Sequence, residues 1–135
     1  MTACVLDTDV VIAALDRGDA HHDAAAAAVL AMIDDERPRL LSTVNYAEAL
    51  VRPAEDEGTL RRAVDAIAAL GIKLVPPTAE IARTAARHRG LGISLADGFA
   101  IATAEAHSAA VATFDRRVRR GLRRLGVELV TPDST

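Results

Sequence analysis

A chain of 135 residues has the length of one domain with a single core, and the expected domain spans residues 1–135. Half of its residues are hydrophobic and 26% are charged, the balance of a soluble globule. The longest apolar run, residues 24–33, is half of what a bilayer-spanning helix needs. No basic, then apolar leader precedes Asp7, and Cys4, the single cysteine, has no partner for an internal disulfide. A membrane protein and a secreted, disulfide-held one are therefore excluded, and the expected compartment is the cytoplasm. The net charge of −3 is unevenly spread, at −8 over residues 1–57 and +5 over residues 58–135.

Residues 3–6 form a short continuous apolar run, the pattern of a buried parallel strand. Residues 10–15 and 20–33 read as helices, the second with Asp19 as its cap. Leu40 and Leu41 mark a second strand. Ser42 and Thr43 can cap a helix that runs to about Arg52, where Pro53 stops it. Leu60, Val64 and Ile67 keep helical spacing up to Gly71. Residues 72–75 are strand-like, residues 78–89 helical with Gly90 behind them, and Ser94 opens a helix through His107. A strand at 109–114, a short basic helix and a last strand at 127–130 complete the order. This alternation predicts an α/β fold with a mainly parallel five-stranded sheet, flanked by helices on both faces.

In such sheets ligands bind beyond the carboxyl ends of the strands. Asp7 lies just past the first strand and Asp115 just past the fourth. Val44, Glu48 and Val51 share a helical face, as do Asp97, Ile101 and Ala104, so Glu48 and Asp97 are expected to interrupt inward stripes. Unpaired inward acids are costly, and Lys73 is the only lysine in the chain. Each acid has a purely structural alternative. Asp7 can cap the helix behind it, Ser94 and Asp97 have capping-box spacing, Glu48 can pair with Arg52, and Asp115 can close a turn.

Two carboxylates about 4 Å apart repel by roughly 4 kcal/mol at an effective dielectric of about 20. A pocket of several must protonate or take a divalent cation. An all-oxygen donor set suits Mg²⁺ or Mn²⁺ rather than Zn²⁺. His21 and His22 lack metal-ligand spacing and read as loop or surface residues.

Four segments carry a resemblance that spans nearly the whole chain. They are Val5-Leu6-Asp7-Thr8-Asp9, Ser42-Thr43-Val44-Asn45-Tyr46-Ala47-Glu48-Ala49-Leu50, Leu95-Ala96-Asp97-Gly98-Phe99-Ala100-Ile101-Ala102-Thr103-Ala104 and Ala112-Thr113-Phe114-Asp115. In this order the chain resembles a PIN domain, specifically the toxin of a VapBC-type toxin–antitoxin pair. The resemblance implies a Mg²⁺-dependent endoribonuclease, with Mn²⁺ as a substitute ion, that cuts tRNA or rRNA and so arrests translation. It further implies a homodimer, a cognate antitoxin that blocks the pocket, and no membrane. By the same resemblance Asp7 and Asp97 ligate the ion directly, and Glu48 and Asp115 complete the acidic pocket, directly or through water. Thr8 and Thr113 support these acids. Asp9 stands where the family often carries Ser or Asn, and is assigned at most a supporting role.

The arginines Arg116, Arg119, Arg120 and Arg123 share one helical face beside Asp115 and are candidates for holding RNA. Two other readings compete. A haloacid dehalogenase-type phosphatase would use Asp7 as nucleophile and Asp9 as acid/base, with Lys73 as its lysine. A receiver-like regulatory module would use the acids only to hold Mg²⁺, but it lacks a lysine after the fourth strand.

Overall fold

The computed structural model describes residues 2–132. Five strands lie in the order β3-β2-β1-β4-β5, every neighbouring pair parallel. They are β1 (Cys4–Leu6), β2 (Arg39–Ser42), β3 (Ile72–Val75), β4 (Ala110–Ala112) and β5 (Leu129–Val130). The helices are α1 (Thr8–Leu15), α2 (His22–Asp34), α3 (Thr43–Leu50), α4 (Glu57–Ala69), α5 (Ala79–His88), α6 (Leu95–Ala106) and α7 (Arg116–Leu125). The expected α/β class, five parallel strands and helices on both faces are all present.

The short apolar strands supply both halves of the core because successive side chains point to opposite faces. Cys4 and Leu6 face one layer together with Leu41, Ile72 and residues of α1 to α4. Val5, Leu40, Val75 and Val111 face the other, against Ile101 of α6 and Val118 and Leu122 of α7. Burial pushes the Cys4 thiol up to about 11, which leaves it unreactive. Among the described residues no helix is long and apolar enough to cross a membrane.

Several element boundaries differ from expectation. Asp19 does not cap α2; its carboxylate instead accepts the His21 N–H at 2.8 Å, and α2 starts at His22 without a side-chain cap. Local turn formation outcompetes capping here, as it often does for Asp. Helix α5 ends at His88, and a single 3₁₀ turn, Arg89–Leu91, carries the chain to Gly92. Gly92, rather than Gly90, takes the left-handed conformation, with φ of 78°. The fourth and fifth strands are also shorter than the apolar runs that contain them.

The strand order places a switch point between β1 and β4. From β1 the chain builds outward through β2 to β3, and then returns to the other side of β1 with β4 and β5. Paired strands there end together, since Leu6 is in register with Ala112. The segments after both strands therefore line one crevice, where helix connections diverge and leave space. Helix α6 reaches the same crevice with its N-terminal end. It packs closely on α5, and at Gly98 a Cβ would lie 2.8 Å from the Ala85 carbonyl oxygen. Only glycine permits that approach.

Candidate active site

Asp7 follows β1, is only 2% exposed, and its backbone N–H donates to the Ala112 carbonyl at 3.0 Å. One carboxylate oxygen accepts the Thr8 N–H at 2.9 Å and caps α1; the other accepts the Thr113 hydroxyl at 2.8 Å. Thr113 Oγ1 in turn accepts the Asp115 N–H at 3.0 Å, so one hydroxyl couples the two strand-end acids. Asp115 caps α7 by accepting the Arg117 and Val118 N–H groups through Oδ1. Asp97 forms the capping box with Ser94: its N–H donates to Ser94 Oγ at 3.1 Å, and Oδ2 accepts the Ser94 N–H at a long 3.4 Å. The structural alternatives for Asp7, Asp97 and Asp115 are thus real. They occupy one oxygen of Asp97 and one of Asp115 and leave the other without a donor among the described residues.

Asp9 is different. Its Oδ2 accepts the Phe114 N–H at 3.1 Å, while its Oδ1 is buried with no hydrogen-bond partner among the described residues. A buried orphan oxygen is costly unless something outside the chain satisfies it.

The charges confirm that these groups are neighbours. Asp7 is pushed up to about 8, first by burial and then by repulsion from Asp9 and Asp97, against the pull of its Thr113 and Thr8 hydrogen bonds. Asp9 is raised to about 6, again first by burial; its bond from the Phe114 N–H and the nearby Val10 N–H dipole lower it, and Asp115 and Asp97 repel it. Burial also raises Asp97, with the Ser94 bonds opposing and Asp115 and Glu48 adding repulsion. Among the described residues the Arg37–Glu128 ion pair and the His88–Glu105 hydrogen bond touch none of these acids. No three of the described Asp, Glu, His or Cys side chains converge into a ready metal cage.

The sequence model of the PIN domain family matches residues 4–122. The chain belongs to the PIN domain family. No curated protein matches it in sequence. Solved structures share its fold. FitAcB from Neisseria gonorrhoeae is 23% identical with a TM-score of 0.71, covering 96% of this chain and 97% of that one. VapBC2 from Rickettsia felis, bound to a DNA fragment from its promoter, is 16% identical with a TM-score of 0.75, covering 97% and 99%. The Mycobacterium tuberculosis toxin VapC20, described as cleaving the sarcin-ricin loop, is 18% identical with a TM-score of 0.69, covering 87% and 94%. PIN membership does not favour the phosphatase and receiver-like readings. Lys73 argues the same way, since it lies exposed on β3, the edge strand two positions from β1.

Within this PIN domain one expected placement is corrected. Glu48 is exposed, as is Val51 at 66%, so Glu48 does not interrupt a buried stripe. The inward face of α3 is instead Asn45 and Ala49. Glu48 reaches the site only as a charge near Asp97, and it lines a cavity of about 820 Å³ together with Ile12, Val51 and Arg52.

Asn45 is the residue that sequence reasoning passed over. It is fully buried, and its Nδ2 donates to Thr8 Oγ1 at 3.0 Å and to the Ala96 carbonyl at 3.1 Å. It therefore ties α1, which follows Asp7, to the residue preceding Asp97. An amide in the middle of an otherwise apolar helical face was the available signal. Asn45→Ala is expected to lower unfolding free energy by about 1–3 kcal/mol, because it strips buried groups of their partners. Urea denaturation checks this, and a shift under about 0.5 kcal/mol would show that the tie is dispensable.

The four arginines do share a face. Arg116, Arg119, Arg120 and Arg123 line a cleft of about 230 Å³ on α7. Arg119 is the half-buried member, with Nε and Nη2 donating to the Thr113 carbonyl at 3.3 and 3.2 Å. The basic cleft is thereby anchored to the segment that carries Thr113 and Asp115.

Proposed function

We propose that this PIN domain is a Mg²⁺-dependent endoribonuclease acting as the toxin of a toxin–antitoxin pair, with tRNA or rRNA as substrate. The observation that carries this reading is the set of mutually repelling acids around the β1/β4 switch point, to which no basic side chain is ion-paired among the described residues. Their all-oxygen donors, and the orphan Oδ1 of Asp9, suit a hard divalent ion. Asp7, Asp97 and Asp115 would hold Mg²⁺ or Mn²⁺, with Glu48 contributing from the exposed rim. When bound, such an ion supplies a water of lowered pKa and neutralises charge on a phosphodiester.

The chain's own residues do the positioning. Thr113 and the Thr8 N–H fix both oxygens of Asp7, and Asn45 holds Thr8 in place. The arginine cleft on α7 draws the RNA backbone toward acids that would otherwise repel it. That a similar structure from Klebsiella pneumoniae is described as a toxin–antitoxin complex, and VapC20 as a toxin cleaving the sarcin-ricin loop, supports a cognate antitoxin and an RNA substrate here. A homodimer and a cytoplasmic site of action accompany this reading.

The deciding experiment is cleavage of total RNA by the purified chain. Cutting with Mg²⁺ or Mn²⁺ that stops in excess EDTA is expected, and undiminished cutting in the chelator would overturn the proposal. The arginines give a second check. Replacing Arg116, Arg120 and Arg123 together by alanine should weaken RNA binding and flatten its salt dependence by about 0.7 in log–log slope per lost phosphate contact. An unchanged slope would assign the cleft to a protein partner instead.

A further inference from the structure

The described residues contain one aromatic stack, and it stands beside the acids. The rings of His21 and Phe114 lie 4.3 Å apart between centroids, with 17° between their planes. Phe114 is well held. Its N–H donates to Asp9 Oδ2, its side chain packs on the core layer of α1 and α2, and its chain neighbours are Thr113 and Asp115. His21 is held by its backbone: Asp19 accepts its N–H, and its carbonyl accepts the Ala25 N–H at 2.9 Å. Its side chain is exposed and makes no hydrogen bond among the described residues.

An exposed imidazole lying flat on a fixed ring is a platform with one face covered and one open. We propose that this platform takes an unpaired nucleobase of the substrate, next to the phosphate that is cut. The inference rests on the ribonuclease reading above. Bases within a duplex have both faces covered by their neighbours, whereas a splayed-out base offers a face to an aromatic side chain. Stacking tolerates any base, so the platform would fix where the strand lies rather than its sequence. Its position follows from Phe114, which the chain sets between Thr113, bonded to Asp7, and Asp115. With Tyr46, Phe99 and Phe114 as the chain's only aromatic residues, few other groups could serve.

The test uses the full chain carrying Asp7→Asn, so that the RNA stays whole, and a short single-stranded RNA containing 2-aminopurine, whose fluorescence falls on stacking. His21→Phe should bind and quench as His21 does. His21→Ala and His21→Gln should bind about tenfold more weakly or worse, the loss expected for one base stack, and should lose the quenching. In the cleaving protein, His21→Ala should raise KM for single-stranded RNA more than it lowers kcat. Unchanged binding and quenching in His21→Ala would overturn the inference and leave His21 as a cover for Phe114. Binding retained in His21→Gln but lost in His21→Phe would overturn it in favour of hydrogen bonding. Cleavage by the wild-type chain with a neutral His21→Ala sinks this inference alone, whereas no RNA binding or cleavage by any form sinks the ribonuclease reading with it.

Discussion

Asp7→Asn is expected to abolish RNA cleavage and, in EDTA near pH 8, to raise rather than lower thermal stability. Few substitutions of a buried, doubly hydrogen-bonded residue should do both. The amide oxygen of Asn keeps the acceptor that caps α1 at the Thr8 N–H. What it removes is a negative charge that burial, Asp9 and Asp97 all oppose. Any ion held between these acids would lose its most enclosed ligand, so activity should fall by at least about three orders of magnitude, the scale of losing an electrostatic group from a site. Asp97→Asn should behave alike. Its carboxylate bond to the Ser94 N–H is a long 3.4 Å and contributes little to the capping box. Retained activity in Asp7→Asn would remove this acid from the reaction. A large loss of stability in metal-free Asp97→Asn would make capping its main role.

The second large effect is the coupling of stability, pH and metal. Asp7 has a folded-state value near 8 against an ordinary 3.8, so the folded chain binds the proton more tightly than the unfolded chain. Its contribution is therefore fully present below about pH 4 and is lost as pH rises through about 8. Asp9, raised to about 6, is lost in the same direction at lower pH. Metal-free protein should accordingly show a Tm that falls by about 5 °C or more between about pH 5.5 and pH 8.5. Mg²⁺ competes with these protons, so its stabilising effect should grow over the same interval and its binding should release protons. Circular dichroism melts with EDTA and with Mg²⁺, repeated on Asp7→Asn, measure both effects. A metal-free Tm that is flat with pH, or a slope that Asp7→Asn leaves intact, would show that the acids are not coupled in this way.

Much of the candidate site was placed before the fold was known, because its parts are local. An apolar run too short for a helix and ending in Asp marks a buried parallel strand whose end faces a crevice, and residues 3–7 and 109–115 both have that form. Ser42 and Ser94 announced the helices they cap, and heptad-like spacing put the four arginines on one face of α7. Each of these depends on residues within one or two turns of one another.

What the tertiary structure alone decided concerns orientation and long-range pairing. Helical spacing says which residues share a face, but not which face turns inward. On α3 the packing of neighbouring helices chose Asn45 and Ala49 and left Glu48 in solvent. Strand order is equally non-local: β1 and β4 are about a hundred residues apart, yet their pairing creates the switch point and brings Thr113 to Asp7. The orphan oxygen of Asp9 and the His21–Phe114 stack exist only because that pairing sets Phe114 beside the first two helices. Local chemistry determined which residues are candidates for the proposed site; burial of both sheet faces determined which of them meet.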